Sequence, residues 1–225
     1  MRHSSTLRIG VLIAAICACV HGQNAPTEGK GMPARATPAD YQTHVQAGTL
    51  TIAADFDGHS IPTLDGTTLS TPEYVVVETA VFGPPGARIK LSIDDFALRI
   101  KGKKVPLPSE PYGLVVKSVK DPEWEPPEVA QAKEAKSKTS LSSGEEDTQV
   151  QKGEPKATPT PVKVPVEVQR AWAQRVQKVT LPEGDRALPQ AGMLFFHYWG
   201  KVEKIQSIEL IYTGPAGKAT LTLQP

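Results

Sequence analysis

The stretch Tyr74-Val75-Val76-Val77-Glu78-Thr79-Ala80-Val81-Phe82 constrains this chain more than any other. β-Branched and aromatic side chains dominate it; they lose rotamer freedom in a helix but pack well on a pleated surface. The run is apolar on both faces around Glu78, so it reads as a central strand covered on both sides. Met193 to Trp199 poses the same demand. Leu194, Phe196 and Tyr198 form one apolar face, and Met193, Phe195, His197 and Trp199 form another that is nearly as apolar. A sandwich strand with water on one side should alternate apolar and polar instead. The simplest cover for the outer face is the segment Val166 to Lys178. There Val168, Trp172 and Val176 recur at helical spacing, while Arg170, Gln174 and Gln177 fall largely elsewhere. The competing reading leaves Phe195, His197 and Trp199 as an exposed stripe for a partner strand, a peptide or a glycan.

The rest of the foldable sequence is also written in period 2. Thr49 to Phe56 puts Leu50, Ile52, Ala54 and Phe56 on one face, and Ala87 to Ile93 does the same with Ile89, Leu91 and Ile93. Phe96, Leu98 and Ile100 follow. Ser207–Thr213 and Lys218–Gln224 then form a hairpin around Gly214-Pro215-Ala216-Gly217. One short helix is predicted from Ser109 as its cap, with Tyr112, Val115, Val116 and Val119 on its apolar side. About seven strands, two short helices and no alternation of strands with helices predict an all-β, immunoglobulin-like antiparallel sandwich.

Two segments read as unable to join that core. Residues 23–40 carry five Gly or Pro and few apolar side chains, which predicts a flexible tether. Residues 121–165 hold seven prolines, seven glutamates, six lysines and one aromatic, Trp124. Such a segment does not bury enough apolar surface to offset ordering at about 1–2 kcal/mol per residue, so it predicts a disordered insertion. The domain itself is expected over residues 41–225.

Residues 1–22 read as a secretory signal. Arg2 and Arg8 precede an uncharged run, Ile9 to Val20, too short to cross a bilayer as a helix but typical of a signal peptide, and Val20-His21-Gly22 suits a signal peptidase. A second exit is open: Ile16-Cys17-Ala18-Cys19 resembles the lipobox of bacterial lipoproteins, which would acylate Cys19. Cleavage after Gly22 removes both cysteines, leaving no thiol chemistry and no disulfide. It also leaves 23 Lys and Arg against 24 Asp and Glu, which does not favour nucleic acid as a partner. The expected location is periplasmic or secreted, with membrane attachment only through a lipid on Cys19.

The strands then resemble a known family. Tyr74 to Val81, Asp95-Phe96 followed by Leu98 and Gly102, Phe196, and the stretch from Ile208 to Leu223 are similar to the telokin-like, immunoglobulin-fold domains of bacterial secreted proteins and lipoproteins. The resemblance covers roughly half the chain, and the family's compact middle is replaced here by 109–178. It implies an exported, non-catalytic module and brings no catalytic residues with it.

Direct inspection for chemistry points the same way. The sequence has no Gly-x-Ser-x-Gly elbow, no His-Glu-x-x-His pair and no phosphate-binding glycine loop. His44, His59 and His197 are far apart. Asp55-Phe56-Asp57-Gly58 resembles the start of a calcium loop, but the fifth and twelfth positions are His59 and Gly66, so a strand end and turn explain it better. Asp94 and Asp95 are adjacent and would point to opposite faces of a strand. No catalytic residue, cofactor or metal is therefore expected. Contact with a protein or an envelope component is the leading expectation. A ligand-binding sandwich, protease-inhibitor-like or glycan-binding, is the alternative.

Overall fold

The computed structural model describes residues 31–101, 104–126 and 164–225. The signal segment with Cys17 and Cys19, the first part of the tether, and the body of the insertion from 127 to 163 lie outside the described residues. No helix among the described residues is long and apolar enough to cross a membrane.

The chain is mostly β. Among the described residues there are twelve strands: β1 Thr43–Ala47, β2 Leu50–Gly58, β3 Ser60–Pro62, β4 Thr68–Ser70, β5 Tyr74–Phe82, β6 Arg88–Leu91, β7 Phe96–Ile100, β8 Leu107–Glu110, β9 Gly184–Ala187, β10 Gln190–His197, β11 Ile208–Gly214 and β12 Gly217–Leu223. The α-helices among the described residues are α1, Tyr112–Val115, and α2, Val166–Val179. Eight strands form one antiparallel sheet in the order β1-β2-β5-β10-β8-β7-β11-β12. Its two halves are joined at β8, which pairs Glu110 with Phe195 and Ser109 with Phe196 on one side, and Leu107 with Leu98 and Pro108 with Ala97 on the other. The far edges come back together. β12 lies beside β1 and β2, and Gln42 donates across the seam to the Gln224 carbonyl at 2.9 Å. The sheet is thus almost a closed barrel, and equally two layers around one core.

The alternation read from the sequence generates that core. Val75 and Val77 stand opposite Phe196 and Leu194, and Leu98 and Ile100 opposite Leu210 and Ile208. All eight side chains are buried and belong to one apolar cluster with Phe96, Tyr212, Leu221 and Leu223. The seven strands expected from periodicity are β2, β5, β6, β7, β10, β11 and β12. The five additional strands are short and polar at many positions, and pairing with neighbours rather than periodicity creates them.

The outer face of β5 and β10 is covered in two pieces. Helix α2 lays Trp172, Val176 and Val179 on Met193, Phe195, Tyr74 and Val76, as its helical spacing predicts. The chain leaving α2 presses on β10: the Leu181 amide donates to the Met193 carbonyl at 3.1 Å. A Cβ on Gly192 would come within 2.4 Å of the Leu181 backbone, so only glycine fits there. Helix α1 is shorter than predicted and starts later. Pro111, not Ser109, precedes it; Ser109 and Glu110 belong to β8, and the buried Ser109 hydroxyl donates to the Ile93 carbonyl at 2.5 Å. Val115 and Val119 still pack beneath α2.

The second cover is the end of the segment read as a tether. From Gly31 onward the chain is seated on the sheet. Met32 bridges Ala191, and Ala34 and Tyr41 pack on Ala53, Ala80 and Ala191. Those three alanines face one another across β2, β5 and β10, making a shallow trough that larger side chains would fill. The insertion likewise begins later than its composition suggests, because Trp124 packs edge-on against Trp172 with ring centroids 6.1 Å apart.

Candidate functional site

Two places on this scaffold concentrate chemistry. The first lies under the seated segment. Asp55 on β2 stands opposite Glu78 on β5, with Asp57 two residues further along β2, at a bulge that shifts the register between Phe56 and Gly58. Glu78 is the single charged residue in the central strand, and it is 3% exposed. Arg35 reaches over both strands: Nη2 lies 2.7 Å from Glu78 Oε2 and 2.5 Å from Asp55 Oδ2, while Nη1 donates to the Asp40 carbonyl at 2.6 Å. Its guanidinium also rests 4.4 Å from the centre of the Tyr41 ring, whose hydroxyl accepts the Arg35 amide at 3.1 Å. Two carboxylates share one guanidinium, with Asp57 nearby, and Glu78 Oε1 and Asp57 Oδ2 are buried without a hydrogen-bond partner. Burial pushes the Glu78 carboxyl up in spite of Arg35. Burial, with the charges of Glu78 and Asp55, pushes Asp57 up to about 7.

This fixes a pH dependence of unusual sign. The folded chain holds the Asp57 proton more tightly than the unfolded chain, whose ordinary value is 3.8. The protein therefore binds more protons folded than unfolded between those limits, and stability falls as pH rises from about 4 to about 7. Asp57→Asn keeps the shape and removes the charge. It should raise stability at pH 8 by about 1–3 kcal/mol and leave it nearly unchanged at pH 4.5. Urea unfolding of both proteins at the two pH values checks this; an equal effect at both would refute the assignment. Among the described residues no three His, Cys, Asp or Glu side chains are placed to hold an ion.

The second place is the end of β10. The three residues proposed from the sequence separate here. Phe195 is 1% exposed beneath α2 and is removed from any surface. His197, the last residue of β10, is exposed, and Trp199 is 71% exposed. Trp199 does not meet Trp172, which packs on Trp124 instead. Three rings form a ladder at this end: Tyr74 to His197 at 5.4 Å and His197 to Trp199 at 5.7 Å, each pair edge to face. The Trp199 indole N–H donates to His197 Nε2. Beside the indole lies an open groove of about 400 Å³ lined by His59, Pro72, Gly200, Lys201, Val202 and Glu203. His59 is tied to backbone on both sides, with Nδ1 2.6 Å from the Tyr74 carbonyl and Nε2 3.3 Å from the Gly200 carbonyl. Periodicity could find Trp199 but not its groove, which is assembled from the turn between β2 and β3, the turn before β5 and the loop after β10.

An exposed, braced indole beside a groove with one base and one acid can bind by stacking and by hydrogen bonding at the rim. No family model, curated protein or solved structure matches this chain.

Proposed function

We propose that this chain is an exported, non-catalytic module that acts by surface contact, and that Trp199 is the centre of the contact. The observation that carries the reading is the 71% exposure of Trp199, two residues past the end of β10, where Phe195 and Phe196 are buried and Tyr198 is half-buried. A large indole left in water, held by a hydrogen bond to its neighbour, is the kind of anchor that interfaces use. Export is inferred from residues 1–22, with the lipid-anchored form through Cys19 as its variant. The immunoglobulin-like, telokin-like kinship belongs to the same proposal; the central Val-rich strand, the Asp95-Phe96 segment and the final hairpin support it. The non-catalytic part is supported by His59, whose ring lies between the Tyr74 and Gly200 carbonyls and serves to hold the loop after β10.

The groove beside Trp199 favours a second reading, a sandwich that binds a glycan or a protease loop. Both readings are tested by one variant. Trp199→Ala should change stability by less than about 0.5 kcal/mol, because the side chain is mostly in water. It should also weaken retention of the mature chain on purified envelope material by about tenfold, as loss of a central aromatic anchor does. Equal retention of the variant and the native chain would overturn the contact reading. Retention competed by soluble envelope glycans would select the ligand-binding form.

A further inference from the structure

Residues 31–41 are built like a ligand seated on the sheet. The turn closes on itself: the Thr37 amide and hydroxyl donate to Asp40 Oδ2 at 2.8 and 3.0 Å. The Asp40 amide donates to the Thr37 carbonyl at 3.2 Å, and the Tyr41 amide to the Pro38 carbonyl at 3.4 Å. Arg35 is locked to the same turn through its amide on the Tyr41 hydroxyl and its Nη1 on the Asp40 carbonyl. Pro33, Ala36, Thr37, Ala39 and Asp40 face water. Towards the sheet the turn presents a β-bridge at Met32, the side chains of Ala34 and Tyr41, and the guanidinium.

The surface beneath is shaped for such an occupant. Ala53, Ala80 and Ala191 leave a trough, and Asp55 and Glu78 follow Ala53 and Ala80 along the same face. Packing alone does not ask for a carboxylate there, since replacing a buried ion pair by apolar side chains is often neutral or stabilising. The floor also holds more acceptors than its occupant answers. Glu78 is 3% exposed and keeps Oε1 without a partner, and Asp57 Oδ2 is in the same position.

We infer that this trough with its carboxylates is a binding site for an arginine-bearing turn of a partner protein, and that residues 31–41 are the resident occupant which the partner displaces. The guanidinium is the recognised group. Its Nη2 spans Asp55 and Glu78 while Nη1 stays bound within the turn, a division of labour that the single nitrogen of an ammonium does not reproduce. A tethered occupant competes at an effective concentration of about millimolar. A partner therefore gains the site by bringing donors for Glu78 Oε1 and Asp57 Oδ2, which the resident leaves unanswered. The resident turn thus sets the threshold for binding. This site is independent of the contact at Trp199.

The test uses the full mature chain and a fluorescent peptide with the sequence of residues 31–41. In Arg35→Ala the chain's own turn has lost its cation, so the peptide should bind. A peptide with alanine in place of its arginine should bind at least about tenfold more weakly, as loss of a charge-assisted bond to a buried carboxylate requires. Adding Glu78→Gln to the chain should weaken the arginine peptide by a similar factor. Equal affinity of the two peptides, or no binding to folded Arg35→Ala, overturns the site. The ¹⁵N-labelled native chain gives a second measurement that does not depend on the variant folding. Excess unlabelled arginine peptide should shift the signals of residues 31–41 to those of a released segment, and no shift at about ten times the effective concentration overturns the displacement. Sedimentation of the native chain should show a monomer. A dimer that Arg35→Ala dissolves would put a second copy's turn in the trough and overturn the assignment to a different protein.

Discussion

Phe196→Ala should cost about 3–5 kcal/mol of stability, measured by urea unfolding of the mature chain. Phe196 is fully buried where β10 meets the joining strand β8, opposite Val75 on β5 and Ser109 on β8. Deleting its ring removes contacts to both halves at once and leaves a cavity that rigid strands cannot close. A domain of ordinary stability, about 5–15 kcal/mol, would lose much of its margin. Phe195→Ala tests the other layer, since Phe195 packs under α2 and not in the core with Leu194. A Phe196→Ala cost below about 1 kcal/mol would mean that the interior face of β10 has been assigned to the wrong side.

Arg35→Ala should be the second large loss, about 2–4 kcal/mol at pH 8. Arg35 is partly exposed, but the Glu78 carboxylate it neutralises has a side chain only 4% exposed. Without the guanidinium, Glu78 must stay ionised and unpaired or take up a proton. Both alternatives are costly at high pH, and the second becomes easy as pH falls. The loss should therefore shrink towards pH 5, as protonation of Glu78 makes the guanidinium dispensable. Hydrogen exchange should report the accompanying release of residues 31–41, whose polar anchors on the sheet run through Arg35. A loss that is the same at pH 5 and pH 8 would show that the segment is held by its apolar contacts on Ala53, Ala80 and Ala191 alone.

The central position of Tyr74–Phe82 was legible because a strand apolar on both faces has nowhere else to go. The cover for Met193 and Phe195 was legible for the same reason: Trp172 and Val176 supplied an apolar stripe in search of a sheet. Composition was less dependable at the edges of the unpatterned segments. Residues 31–40 look like a tether because they hold little apolar surface, yet they seat through one guanidinium and a row of alanines. Neither feature has a period. Trp124, a lone aromatic among charges and prolines, was absorbed by the helix across from it rather than left with its own segment.

By itself, then, the sequence determined seven of the twelve described strands, which faces of them are dry, and that β10 needs a lid. These follow from side-chain alternation, a local property readable along one dimension. Only the tertiary structure decided that the lid ends before His197 and Trp199, and that Phe195 lies beneath it. It alone brought His59 to the loop after β10, and Asp57 beside Glu78. Each of those outcomes depends on the register between strands distant in sequence, such as Phe56 opposite Val77 and His197 opposite Tyr74. Register is set by the packing of the whole core, and no single segment carries it.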